Sequence, residues 1–146
     1  MNAKAQSELQ LEFSDQATKN GFEILQIKNS SNLILRRKKD GLELQCLLKS
    51  RWWAEKDLLG RNTWIVFPDG VKSRKRNWYV VPHDLIVQHG KIKHRHTLSW
   101  KRGLYHKPQL SEDLVVAYVA YQMDILANLR REFVDLLHLQ NAKNWE

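Results

Sequence analysis

Ten basic side chains crowd into residues 72–107: Lys72, Arg74, Lys75, Arg76, Lys91, Lys93, Arg95, Lys101, Arg102 and Lys107. Asp84 is the one acid among them, so the segment carries +9 while the rest of the chain sums to −1. Charge gathered in this way is the footprint of a polyanion partner, whereas cations kept for solubility would follow the whole sequence. Anionic membrane is disfavoured because these residues do not line one face of an amphipathic helix. Five of the six histidines (His83, His89, His94, His96 and His106) share the segment. Beside phosphates they would gain charge, and tighten binding, below about pH 6.5. His94-Arg95-His96 could offer two metal ligands, but one cysteine and no His pair at four-residue helical spacing argue against structural zinc.

Aromatic and basic residues also alternate, in Arg51-Trp52-Trp53 and Trp100-Lys101-Arg102. Such runs suit backbone contact with packing against base or sugar. Core cover is the competing role for one of Trp52 and Trp53. The sharpest phosphate candidate is the turn Arg74-Lys75-Arg76, since loops on a rigid scaffold commonly carry binding residues.

The elements that must hold these groups are legible in outline. Residues 4–19 read as a helix with Leu9, Leu11, Phe13 and Ala17 as its apolar members, stopped by Asn20-Gly21. Strands follow at residues 22–27, 33–35 and 42–48, the last two joined by the turn Asp40-Gly41. Two more are expected at 64–67 and 78–81, with Pro68-Asp69-Gly70 and Pro82 as punctuation. A His- and Lys-rich connector then runs to Pro108. From an N-cap at Ser111, with Glu112 and Asp113 in the first turn, apolar residues recur at helical spacing to about residue 139. That is one helix of roughly 40 Å, or two.

The expected class is an α+β or mixed α/β core in a single domain, residues 1–146, with a C-terminal helical segment over about 111–140. At 146 residues there is enough chain for one core. No secretory leader is read, no apolar run approaches a membrane span, and Cys46 has no internal disulfide partner. A cytoplasmic setting is expected. Neither a phosphate loop, a serine nucleophile elbow nor a dinucleotide fingerprint is present.

The order of a first helix with Glu8 and Glu12, then Gly21-Phe22-Glu23-Ile24, Asn32-Leu33-Ile34-Leu35, Asp40-Gly41 and Cys46-Leu47-Leu48-Lys49-Ser50 resembles the PD-(D/E)XK nuclease superfamily of restriction, resolvase and intron-homing endonucleases. The likeness covers roughly residues 7–85. It implies a restriction-endonuclease-like central mixed sheet flanked by an N-terminal helix and a long C-terminal helix. In that family the helix supplies a Glu, the strand before the hairpin opens with a metal-binding Asp, and the strand after it ends in Glu or Gln, any residue, Lys.

By that resemblance Lys49 takes the Lys position and Glu8 or Glu12 the helix Glu, but Asn32 stands at the Asp and Leu47 at the Glu or Gln. An Asn there is either the natural residue of a relative that no longer cuts or a substitution of an Asp. A second phase is open too, because Glu43, Gln45, Leu47 and Lys49 share one strand face, and Glu43-Leu44-Gln45 could replace the usual triplet. The implied catalytic set is therefore Glu8, Glu12, Asn32, Glu43, Gln45 and Lys49, with Glu8, Asn32 and Glu43 as metal ligands. The implied chemistry is Mg²⁺-dependent phosphodiester hydrolysis, the cation acidifying a water and Lys49 stabilising developing charge. The alternative is a pseudo-nuclease subunit that binds without cutting. Double-stranded DNA is the expected partner, held by Arg51, Trp52 and the basic segment. A homodimer or higher oligomer through the final helix is expected, since a duplex site is hard to cover with 17.3 kDa.

Overall fold

The computed structural model describes residues 3–27, 31–70, 76–138 and 142–146. It is a mixed α+β structure. Helix α1 (Ala3–Lys19) is followed by β1 (Phe22–Ile27), β2 (Asn32–Arg37), β3 (Glu43–Leu48), β4 (Trp52–Glu55), β5 (Trp64–Pro68) and β6 (Trp78–Pro82). Then come α2 (His83–His94), α3 (Leu98–Lys101), β7 (Leu104–Lys107), α4 (Glu112–Ala117), α5 (Met123–Leu126) and α6 (Arg131–His138). The main sheet has the order β1-β2-β3-β5-β6 and is antiparallel except where β3 runs parallel to β5. A separate two-stranded ribbon pairs β4 with β7.

Local sequence explains most of the main sheet. Residues of β2 and β3 alternate between faces, so Leu33, Leu35, Leu44, Cys46 and Leu48 go inward and Asn32, Ile34, Glu43, Gln45 and Leu47 outward. The inward side is covered by α1, whose Leu9, Phe13 and Ala17 repeat every four residues and are buried. Leu11 breaks that spacing and is 67% exposed, so it is not the core member its type suggested. Strands β5 and β6 are apolar runs buried throughout, as strands covered on both faces must be. Desolvation of the Cys46 thiol in this core pushes its pKa up, so it is an inert packing residue.

Two readings need correction. The stretch from 111 onward is not a long helix. It is three short ones: α4 and α5 are parted by a 3-10 turn between Tyr118 (φ −102°, ψ 14°) and Gln122 (φ −60°, ψ 137°), and α5 ends at Leu126 before α6 begins at Arg131. The turns let Leu114, Tyr118, Tyr121, Met123 and Leu126 all reach one core, which a straight rod of this length could not do. At Gln122 the chain forms a bridge to Tyr79 on the edge of β6. Where α5 ends, the carbonyls of Leu126 and Leu129 accept hydrogen bonds from the Arg37 guanidinium at 2.9 and 2.7 Å. Of the apolar stripe on which an oligomer contact was expected, Leu114, Tyr118 and Tyr121 are buried in the core while Phe133 and Leu136 on α6 stay exposed.

The second correction is the connector after Pro82, which is helical. Half of α2, His83 to Val87 and Gly90, is buried. Gly90 sits inside the helix because a Cβ there would lie 2.4 Å from the Trp100 ring. Among the described residues no helix is long and apolar enough to cross a membrane.

Candidate nucleic-acid interface

The hairpin ladder sets Asn32 opposite Leu47 and Ile34 opposite Gln45, all on the face turned away from α1. Lys49 continues that face just past β3, its amide donating to the Val66 carbonyl at 2.9 Å. In front of these residues lies a cavity of about 430 Å³, closed on its far side by Glu55, Leu58, Arg61 and Thr63. Three of the six expected catalytic residues, Asn32, Gln45 and Lys49, line it together.

The other three do not. Glu8 is exposed on α1, and α1 packs on the opposite side of the sheet, where Leu11 and Phe13 face Leu33 and Leu48. Glu12 is occupied. It accepts Arg76 Nε and Nη2, each at 2.7 Å, and Trp78 Nε1 at 2.7 Å. Burial favours its neutral form, but the Arg76 and Trp78 bonds outweigh that and its pKa is lowered. Glu43 sits beside the hairpin turn, opposite Arg36, away from the cavity.

The ribbon β4–β7 supplies the neighbouring surface. Its cross-strand partners are Trp52 with Lys107, Trp53 with His106, Ala54 with Tyr105 and Glu55 with Leu104. Alternation turns Trp52 and Ala54 inward, and Trp52 is 1% exposed with its Nε1 donating to Tyr118 Oη at 3.0 Å. Trp52 is therefore a core residue and cannot meet a nucleic acid. Trp53 takes the surface role. Its ring stacks on His106 at 4.9 Å and 10°, Lys49 Nζ lies 4.4 Å from its centroid, and its Nε1 donates to Glu55 Oε1 at 3.2 Å. Arg51 Nη1 stands 3.4 Å from His106 Nδ1. Burial and then the Arg51 charge lower the His106 pKa, which keeps the imidazole a neutral acceptor for Arg51.

The wall carrying Glu55 is tied from behind. The Glu55 amide donates to His83 Nε2 at 3.0 Å, and His83 Nδ1 lies 3.2 Å from Asp84 Oδ1. The Asp84 carboxylate accepts the Gly60 amide at 3.1 and 3.2 Å, so both ends of residues 55–60 are anchored to the start of α2. With Nε2 accepting, His83 is neutral and carries its proton on Nδ1 toward Asp84. Desolvation lowers the His83 pKa against the opposing pull of Asp84.

Among the described residues of the basic segment, several cations already have partners within the chain. Lys72, Arg74 and Lys75 lie outside the described residues. Arg76 is bound by Glu12, and Lys93 pairs with Asp113 and donates to Ser111. Lys91 Nζ donates to Asn144 Oδ1 at 2.7 Å. Lys107 Nζ lies 5.9 Å from the Trp52 ring centroid. Arg95, Lys101 and Arg102 are exposed, with no carboxylate partner among the described residues. The last two immediately precede Gly103, whose carbonyl accepts the amide of Lys56 at 2.8 Å, so they stand at the Glu55 end of the ribbon. His94 stacks on Tyr105 at 4.3 Å.

Sequence reading missed Glu55, Arg61 and Thr63 as site residues, and named His106 only as one of five histidines expected near phosphates. The pairing of β4 with β7, some fifty residues apart in the chain, sets His106 beside Trp53 and Leu104 beside Glu55, while the parallel pairing of β5 with β3 brings Arg61 and Thr63 to the cavity. As a metal site the lining is poor. Glu55 is its one carboxylate, Asn32 and Gln45 offer neutral carbonyls, and Lys49 and Arg61 leave it net positive. No group of three or more His, Cys, Asp or Glu among the described residues is placed to hold a metal. A Mg²⁺ ion would enter against that charge, whereas a phosphate enters with it.

Comparison with protein-family models, curated proteins and solved structures returns no match.

Proposed function

We propose that this chain binds nucleic acid, double-stranded DNA foremost, on a scaffold of restriction-endonuclease type, as a relative that has lost metal-dependent cleavage. The observation that carries the reading is the cavity lining. Lys49 and Arg61 face a single carboxylate, Glu55, and an aliphatic Leu47 stands where the resembled nucleases place a metal ligand. Arg51, with Trp53 and His106, extends the cationic rim along the exposed face of the ribbon. Phosphate contacts of this kind position a strand without reading its sequence. Pairing with a second copy, or with a larger defence or recombination complex, would supply the rest of a duplex footprint.

The deciding experiment is a fluorescence anisotropy titration of random duplex at two salt concentrations, with and without Mg²⁺. Steep salt dependence and indifference to Mg²⁺ are expected. Salt-independent binding, or none, overturns the reading.

One observation favours cleavage instead: Glu55 and Lys49 line the same cavity. Nicking of supercoiled plasmid in Mg²⁺ or Mn²⁺, by this chain or its Asn32→Asp variant, would establish an endonuclease.

A further inference from the structure

We propose that the cavity is a pocket for one unpaired nucleotide of a bound strand, its base lying on Ile34 and Leu47 and its phosphate held by Lys49 and Arg61. This rests on the nucleic-acid reading above and names what occupies the site.

The ladder geometry supports it. Asn32 faces Leu47 and Ile34 faces Gln45, so the outer surface of the hairpin is a four-residue square with amides on one diagonal and aliphatics on the other. Diagonal neighbours across an antiparallel pair lie about 7–8 Å apart, a spacing that lets two amides reach opposite edges of a planar heterocycle between them. The exposed Gln45 amide brings both donors and an acceptor, which is what the hydrogen-bonding edge of a base requires, and Asn32 adds a second amide on the same face. Ile34 and Leu47 are half-buried and offer the apolar floor for its flat face, with Leu58 on the facing wall. The volume, about 430 Å³, falls in the ordinary range for a small-ligand pocket. Lys49, next on the same face, and Arg61, exposed at the rim, provide for the phosphate. A divalent cation would find Leu47 at the position where it needs charge, whereas a base finds a surface to rest on. A base inside a duplex cannot reach this floor, so the pocket takes one that is bulged or extruded.

The test compares a fully paired duplex with the same duplex bearing a single bulged 2-aminopurine, titrated against the full chain. The bulged duplex is expected to bind about tenfold more tightly, with 2-aminopurine emission rising as the base leaves the stack. Combined Asn32→Ala and Gln45→Ala substitution should erase the preference, and a preference that persists overturns the pocket. Should that variant fail to fold by circular dichroism, the exposed Gln45→Ala alone carries the test and should reduce the preference. Equal affinity for the two duplexes overturns the pocket and leaves nucleic-acid binding standing; binding to neither overturns both. Displacement of the bulged probe by micromolar free mononucleotide would reassign the cavity to a soluble nucleotide and overturn the strand assignment.

Discussion

His83 Nε2 accepts the amide proton of Glu55 at 3.0 Å, and through that bond a buried imidazole holds one wall of the cavity. Protonating Nε2 would set two donors face to face. Because the folded pKa of His83 is lowered from 6.5, its contribution to stability is fully present above that value. It is lost as pH falls from 6.5 through the depressed folded value. Unfolding by denaturant at pH 7.5 and pH 5.5 should show the wild type losing stability on acidification, and His83→Gln losing less. An equal loss in both would assign the effect to His89, His94, His106 or His138, whose pKa values are lowered as well.

Trp52 and Trp53, adjacent in sequence, should separate cleanly. Trp52→Ala empties a fully buried site and leaves Tyr118 Oη with His89 Nδ1 alone, at a cost of about 3–5 kcal/mol. Trp53→Ala removes a half-exposed ring, and should lower duplex affinity while changing stability by under about 1 kcal/mol. Thermal melts and anisotropy on both variants decide the matter; the reverse pattern would place the wrong tryptophan at the surface.

Salt dependence should sort the cations. Lys49→Gln with Arg51→Gln should flatten the log–log slope of duplex affinity by up to about 1.8, at about 0.9 for each phosphate left without its cation. Lys93→Gln should leave it unchanged, because that ammonium is already paired with Asp113. A slope insensitive to the double substitution would remove the ribbon from the interface.

Glu12→Gln breaks the bond pattern that holds Arg76 and Trp78 to α1. The expected loss is about 1 kcal/mol at neutral pH. Since the Glu12 pKa is lowered, that stabilisation exists above its unfolded value of 4.5 and disappears as pH falls through the folded one. Wild type and variant should therefore converge in acid. Persistent separation at pH 3 would mean the ion pair is not what Glu12 contributes.

Much of the scaffold was open to reading because its signals are local. The runs Trp64–Pro68 and Trp78–Pro82 are apolar over whole strands, and Asp40-Gly41 turns the chain within the β2–β3 connection. What escaped depends on distant partners. Nothing in Arg51-Trp52-Trp53-Ala54-Glu55 alternates in polarity, yet it is a strand because residues 104–107 pair with it. Helix α2 was hidden by Gly90, whose missing side chain makes room for Trp100. The helical spacing after Ser111 was real but misleading, since Tyr118 and Tyr121 reach the core around bends. Asn32 and Lys49 were reached through the family resemblance and Gln45 through strand alternation, whereas Glu55 and Arg61 needed the tertiary fold to bring them to the same cavity.

Arg37 is 1% exposed, its charge answered by Asp40 and by the two carbonyls at the close of α5. The consequence is architectural: the segment closing α5 is no detachable appendage to the main sheet. Ending the polypeptide ahead of Leu126 would strand a guanidinium in a dry interior, where losing acceptors is expensive. The hairpin that frames the cavity therefore stands only when the far end of the chain has come back to meet it.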